Sequence, residues 1–134
     1  MLASIHFFVD RSLGRWWRVP AALQAAGWSL TTLAQHYGVP ADEAVDDVDW
    51  LALAGERGWA VLKKDDHIRQ RPAEVAALRA SGVHAFCIAN ANLTADQQVE
   101  LFLKHEDAIA SVCVGPGPTL HSISRSGMRA IAIA

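Results

Sequence analysis

The sequence predicts an α/β fold in which a mostly parallel central sheet lies between two layers of helices and ends in a β-hairpin. Short runs rich in β-branched and aromatic residues alternate four times with segments of helical periodicity. Several helical segments stop at a glycine, and the apolar runs stop at charged or polar residues. Such alternation is typical of parallel strands joined by crossover helices, with both faces of the sheet covered.

The bulk composition is that of an ordinary globular domain. The chain has 134 residues, of which 51% are hydrophobic, and its formal net charge is −2. This is enough apolar material for one core, so we expect a single domain over residues 1–134. The charge balance excludes a bulk polycation, and any RNA binding would require a local basic patch.

Cysteine usage and hydropathy predict a cytoplasmic protein. Cys87 and Cys113 each lie in an apolar run, as expected of reduced, buried thiols. No run approaches the roughly 20 apolar residues of a membrane span, and no signal peptide is apparent. We therefore expect no membrane association.

The first strand and the first helix follow from local patterns. Residues 4–9 are short and apolar and stop at Asp10, as expected of a buried central strand with an acid at its carboxyl end. Helical spacing over residues 15–26 predicts a helix. Pro20 is expected to split it, with a new helix beginning near Val19.

The next part of the chain predicts a strand, a loop and an acidic helix. Residues 28–33 have the composition of a second strand, and residues 34–44 that of a loop. Asp46 or Asp47 is then placed to cap a helix that ends at Gly58, with acids in its first turn where the helix dipole favours them.

The rest of the chain repeats this alternation and then turns back. We expect a third strand over residues 59–62, a helix over 72–80 and a fourth strand over 83–89. Thr94 is expected to cap one long helix that runs through Ile109. The proposed hairpin joins residues 120–123 to residues 128–133 around Ser126-Gly127.

Aspartates recur at the carboxyl ends of the predicted strands, where open parallel sheets form their active sites. Asp10 follows the first strand, Asp65 follows the third, and Asp47 arrives from a helix start. Carboxylates that meet raise one another's pKa unless a cation neutralises them. With oxygen ligands only, we expect Mg²⁺ or Mn²⁺. The structural alternative is that Asp10 caps a loop and Asp47 caps a helix.

Basic and aromatic residues lie near these acids in the sequence. An RNA backbone would be drawn to a basic rim, whereas an ordinary solvated face with arginines paired to acids is the alternative. The basic residues are Lys63, Lys64, Arg69 and Arg71 around Asp65, and Arg11, Arg15 and Arg18 after Asp10. Trp16 and Trp17 are candidates for stacking on bases, although at least one is expected in the core.

Three blocks of this sequence resemble the PIN-like toxins of VapC type, in particular the divergent VapC45-like branch. They are FFVDRSLG at residues 7–14, DVDW at 47–50 and RGWAVLKKDDHIR at 57–69. The likeness continues with Arg71-Pro72 and with Asn92-Leu-Thr94, so it extends over nearly the whole chain.

The resemblance implies a PIN-like three-layer α/β/α domain and a metal-dependent endoribonuclease, the toxin of a type II toxin-antitoxin pair. Its partners would be RNA and a cognate antitoxin, in a homodimer or a toxin-antitoxin hetero-oligomer. Its cofactor would be Mg²⁺ or Mn²⁺. The hypothesis for the chemistry is that the ion lowers the pKa of a bound water, which then attacks an RNA phosphodiester.

Carried over by position, Asp10, Asp47 and Asp65 are the catalytic, metal-binding acids. Asp49 stands where the branch often has Glu and is a further candidate ligand, and Asp46 also competes for the second position. The residues expected to contact substrate phosphates are Lys64, Arg69, Arg71 and Asn92.

The sequence departs from the broader family pattern at two places. No clear fourth acid follows the fourth strand, where Asn90 or Asn92 remains, so one firmly held ion is expected. Lys63 replaces the Thr or Ser common just before Lys-Asp, which removes a hydroxyl there.

The sequence leaves two alternatives to the nuclease. One is a PIN-like binding module without turnover, whose acidic cluster receives basic side chains from a partner protein. The other is a phosphoacceptor receiver domain, which needs an acidic pair after its first strand. Here Arg11 follows Asp10, and the late strands offer no matching lysine.

Overall fold

The computed structural model of this protein describes residues 4–14, 17–64, 71–89 and 92–133. The strands are β1 His6–Val9, β2 Ser29–Thr32, β3 Ala60–Lys63, β4 His84–Ile88, β5 Thr119–Ser124 and β6 Gly127–Ala130. The helices are α1 Arg11–Gly14, α2 Arg18–Ala25, α3 Leu33–Tyr37, α4 Asp47–Arg57, α5 Pro72–Ser81, α6 Ala95–Lys104 and α7 Glu106–Cys113, with a 3-10 helix over Ala41–Ala44.

The strands form one six-stranded sheet in the order β2-β1-β3-β4-β5-β6. Strands β1 to β5 are parallel, and β6 returns antiparallel to β5. The chain leaves β1 toward one edge of the sheet and leaves β3 toward the other edge. In such sheets a crevice opens beyond the carboxyl ends of the two strands where the order reverses, here β1 and β3.

Alternate residues along the central strands contribute to two separate hydrophobic cores, one on each face of the sheet. On one face Phe7 and Leu62 pack with residues of α1, α2, α6 and α7, among them the fully buried Phe102. On the other face Phe8 and Val61 pack with residues of α3, α4 and α5. The mostly parallel three-layer α/β/α arrangement and its terminal hairpin, predicted from the sequence, are therefore confirmed.

The loop predicted over residues 34–44 is wrong. Helix α3 begins directly after β2, because Thr32 and Gln35 form a reciprocal cap. The Gln35 amide nitrogen donates to Thr32 Oγ1 at 3.1 Å, and the Thr32 amide nitrogen donates to Gln35 Oε1 at 2.9 Å. A cap of this kind compensates for the unsatisfied amide groups of even a short helix.

The single long helix predicted after Thr94 is two helices. Thr94 does cap the first of them, in a reciprocal arrangement with Gln97. The chain bends at His105, whose φ of −102° and ψ of 17° end α6 and begin α7. The helix predicted around Pro20 is confirmed as α2, which begins at Arg18 so that the proline lies in its first turn.

In the part of the chain that the structure describes, neither Cys87 nor Cys113 forms a disulfide. Cys87 is buried and Cys113 is half-buried. Burial raises the pKa of the Cys113 thiol to about 11, which keeps it protonated at neutral pH. Within the described ranges, no helix has the length and apolar character needed to cross a bilayer.

Protein stability is expected to fall in mild acid because of His6. Its ring nitrogens lie 2.7 Å from Ser29 Oγ and 2.7 Å from Thr31 Oγ1, and the ring packs on Trp59. Burial lowers the pKa of His6 below its ordinary value of 6.5, so the fold favours the neutral ring. The stability that comes from the neutral His6 ring is fully present above pH 6.5, the ordinary pKa of histidine. It is lost as the pH falls from there through the lowered pKa of His6 in the folded state.

The measurement is the free energy of unfolding in urea between pH 8 and pH 5. We expect His6→Gln to lose less stability than the wild type over this interval, because the variant has no ring to protonate. Equal pH dependence in both proteins would contradict the assignment.

Candidate active site

The carboxyl ends of β1 and β3 meet at Asp10. The Asp10 amide nitrogen donates to the Leu62 carbonyl oxygen at 3.0 Å, which continues the pairing of these strands by one residue. The residue is 6% exposed. Because the backbone is fixed by the sheet, the carboxylate of Asp10 is held at the crevice and cannot move far from it.

Ser12 fixes the orientation of this carboxylate. Its hydroxyl donates to Asp10 Oδ2 at 2.6 Å, and its amide nitrogen donates to the same oxygen at 3.3 Å. The Lys64 amide nitrogen in turn donates to Ser12 Oγ at 3.2 Å. These bonds place Asp10 at the cap of α1 and also connect it to the end of β3. Asp10 therefore has a capping role, as the structural alternative predicted, but it caps the start of α1 and not a loop.

Ser12→Ala is expected to lower the free energy of unfolding by about 1–2 kcal/mol, since a hydrogen bond to a charged group is lost. Urea denaturation at neutral pH measures this loss. The matched control is Ser111→Ala, at an exposed position on α7, with an expected change within about 0.5 kcal/mol. Equal losses in the two variants would show that the Ser12 hydroxyl does not support Asp10.

Asp47 lies in the first turn of α4, and its side chain points at buried groups. Asp47 Oδ1 accepts a hydrogen bond from Trp50 Nε1 at 2.8 Å. Trp50 itself is fully buried. Asp46 is the N-cap residue but makes no side-chain cap bond, and both it and Asp49 are exposed. Of these three acids, Asp47 is therefore the one directed toward the interior.

Glu74 is a site residue that sequence reasoning missed. It lies in the first turn of α5, is only 6% exposed, and its carboxyl group is hydrogen-bonded to that of Asp47. Burial and this bond raise the pKa of Glu74, against the opposing charges of Lys63 and Arg71.

For Asp47 the same bond has the opposite effect. Burial would raise the pKa of Asp47, but its hydrogen bonds with Glu74 and Trp50 and the charge of Lys63 outweigh burial and lower it. The proximity of the two carboxyl groups therefore favours ionisation of Asp47 over that of Glu74.

Lys63, the last residue of β3, is buried among these acids. Its Nζ lies 3.5 Å from Glu74 Oε2 and 5.6 Å from the ring centre of Trp50. Burial disfavours the charged ammonium, but the charges of Asp10, Glu74 and Asp47 outweigh it and raise the pKa of Lys63. Lys63 is therefore an interior cation and does not belong to the basic rim suggested by the sequence.

Several other basic residues are paired with protein groups. Arg71 Nη1 donates to Glu74 Oε1 at 3.0 Å and is about half exposed, so it lies at the edge of the site. Arg11 Nη2 donates to the carbonyl oxygens of Asp42 at 3.0 Å and Val45 at 2.7 Å. Arg18 forms an exposed pair with Asp96 at 3.7 Å. The structural alternative proposed from the sequence, an exposed arginine paired to an acid, therefore describes Arg18. Arg11 fits neither interpretation, because it is half-buried and bonded to backbone carbonyls.

The remaining candidates are less closely tied to this crevice. Asp65, Arg69 and Asn90 lie outside the described residues, so their roles stay predictions. Lys64 is half-buried and Asn92 is exposed. Among the residues that the structure describes, no three His, Cys, Asp or Glu side chains form a group able to hold a metal ion. An ion at this place would need at least one donor from outside that set.

One sequence signal could have revealed Glu74. Pro72 occupies the first turn of a helix whose predicted start follows the third acidic block, and Glu74 lies in that same turn. An acid in the first turn of a helix is favourable to the helix dipole without any further partner, so the sequence alone does not mark Glu74 as a site residue. Only the packing of α5 against α4 brings it to Asp47.

Comparison with known proteins assigns this chain to a family. A family model described as a PIN-like domain matches residues 5–90, a span that contains Asp10, Asp47, Lys63 and Glu74. The chain belongs to the PIN-like domain family.

A curated relative supports the VapC-type resemblance of this PIN-like protein. The relative is named "Putative ribonuclease VapC45" and comes from Mycobacterium tuberculosis. The two are 36% identical over 121 residues, which cover 90% of this chain and 87% of the relative. No solved structure matches the chain significantly. The likeness extends beyond residue 90 and hence beyond the part that the family model covers.

Proposed function

We propose that this PIN-like protein is an endoribonuclease toxin that hydrolyses RNA phosphodiesters with the help of Mg²⁺ or Mn²⁺. The observation that carries the proposal is the carboxylate site at the β1/β3 crevice, made by the buried Asp10 and Glu74 and the half-buried Asp47. It occupies the position where α/β sheets bind ligands. The name of the VapC45 relative supports RNA as the substrate.

The donor chemistry of the site suits a hard divalent ion. Asp10, Asp47 and Glu74 supply only oxygen atoms, the ligands preferred by Mg²⁺ and Mn²⁺. Burial and the neighbouring Asp47 raise the pKa of Glu74, which disfavours ionising both carboxyl groups, and a cation would relieve this. We propose that Asp10 and Asp47 hold the ion together with Asp65, which lies outside the described residues.

Such an ion would stabilise negative charge on the phosphate and make water a better nucleophile at neutral pH. Two hydrogen bonds within the chain orient the carboxylates of the site. Ser12 keeps the Asp10 carboxylate in one orientation, and Trp50 does the same for Asp47. Arg71, at the exposed edge beside Glu74, is the described cation best placed to meet an incoming phosphate.

The direct test is cleavage of a defined single-stranded RNA by the purified protein. We expect activity with Mn²⁺ or Mg²⁺, loss of activity with EDTA, and recovery when the ion is added back. Equal cleavage with and without chelator would contradict metal dependence. Absence of cleavage under every condition would contradict the nuclease itself.

A second candidate function is the binding module without turnover. The observation that favours it is the ammonium of Lys63, which already neutralises carboxylates in this site. This alternative predicts tight binding of a protein partner with no metal-dependent cleavage, so the RNA assay separates the two.

We also propose that a cognate antitoxin inhibits the nuclease by covering this crevice. The proposal rests on membership in the toxin branch. Its test is to co-express the chain with the product of a short neighbouring reading frame and to purify one of them by a tag. Co-purification with inhibition of RNA cleavage would support the proposal, and full activity of the purified pair would contradict it.

A further inference from the structure

Lys63 is the most unusual charged residue of the described structure. Its side chain is only 4% exposed, and that of Glu74, its nearest acidic partner, is 9% exposed. Lysine is almost never buried to this degree without pairing, because a buried ammonium loses its hydration. The acids around it must therefore compensate for that loss.

The sheet leaves Lys63 little freedom to leave the site. It is the terminal residue of β3 and is in register with Cys87 of β4, a buried neighbour in the middle of the sheet. The residue before it, Leu62, accepts the backbone hydrogen bond from Asp10. The ammonium also lies over the ring of Trp50, the residue that donates to Asp47. Lys63 thus follows directly on the residue that pairs with the Asp10 backbone, and its ammonium lies beside both Trp50 and Glu74.

We propose that Lys63 is a built-in cation of the carboxylate site, which holds Asp10, Asp47 and Glu74 together without an ion and weakens the binding of the divalent ion. This inference rests on the proposed metal site, because it concerns the affinity of that same site. The physical reason is charge. The ammonium of Lys63 lies 3.5 Å from Glu74 and also interacts electrostatically with Asp10 and Asp47. One buried positive charge there lowers the mutual repulsion of the acids and repels an arriving cation. Lys63 acts through the carboxylates and is a positioning residue.

The experiment removes the charge while keeping most of the volume. In Lys63→Met, we expect Mn²⁺ to bind about ten-fold more tightly than in the wild type, measured by titration calorimetry on the metal-free protein. The thermal midpoint in EDTA should fall, and Mn²⁺ should restore more of it than it adds to the wild type. Lys104→Met, at an exposed position on α6, is the matched control and should bind Mn²⁺ as the wild type does.

A double variant that restores the charge balance of the site separates the effect of charge from the effect of packing. Lys63→Met combined with Glu74→Gln removes one positive and one negative charge. It should recover much of the thermal midpoint in EDTA and return Mn²⁺ affinity toward the wild-type value. If Lys63→Met folds only when Mn²⁺ is present, that result supports the same conclusion.

Two results would overturn the inference. One is equal Mn²⁺ affinity in the wild type and Lys63→Met, including no binding by either. The other is a double variant that is no more stable than the single one. RNA cleavage by the wild type is measured separately with Mn²⁺ and with EDTA. A failure there contradicts the proposed nuclease, whereas the comparison of ion affinities and midpoints decides the role of Lys63.

Discussion

Asp10→Asn is expected to lower Mn²⁺-dependent RNA cleavage at least about 100-fold, a loss typical for removing a preorganised electrostatic group from an active site. The asparagine keeps the shape of the side chain and an oxygen that accepts from Ser12, so the local fold should persist. It lacks the negative charge with which a carboxylate attracts a divalent ion. Initial rates on a defined RNA measure the effect.

The control for this variant is Asp96→Asn. Asp96 is an exposed aspartate at the start of α6 whose partner is Arg18. The same chemical change there should leave cleavage within about three-fold of the wild type, since exposed ion pairs contribute little. A cleavage rate in Asp10→Asn close to that of the control would contradict the assignment of Asp10.

Trp50→Ala is expected to lower the free energy of unfolding by about 3–5 kcal/mol, because it empties a fully buried aromatic position. The ring packs edge-on against Phe8, with 5.9 Å between ring centres. Its loss would also remove the donor to Asp47 and the aromatic face beside Lys63. Urea denaturation followed by circular dichroism measures the change.

Trp50→Phe distinguishes the packing of Trp50 from its hydrogen bond. Phenylalanine keeps an aromatic ring but has no N–H group, so we expect a smaller loss of about 1–3 kcal/mol, with a fall in RNA cleavage as Asp47 loses its orientation. Trp17→Ala, at an exposed position, should change stability by no more than about 0.5 kcal/mol. Equal losses for Trp50→Ala and Trp50→Phe would contradict the role given to ring packing.

Local sequence patterns predict a secondary-structure element correctly where one physical effect dominates. The strand that ends at Asp10, the helix that stops at Gly58 and the cap at Thr94 all follow from apolar runs, glycine and capping chemistry. The loop predicted after Thr32 is wrong because Gly38 and Pro40 are typical of loops, whereas the capping pair Thr32 and Gln35 starts a helix before them. The bend at His105 has no comparable local signal, since apolar spacing continues on both sides of it.

The sequence by itself determined the fold class, the placement of Asp10 at a strand end and the family likeness. These features depend on residues close together in the chain. Only the tertiary structure decided that Glu74 meets Asp47, that Lys63 lies inside and that Asp46 and Asp49 face outward. The reason is that α5 and β3 reach the crevice through packing across the sheet. Whether a charged side chain is buried there depends on partners that sequence spacing does not reveal.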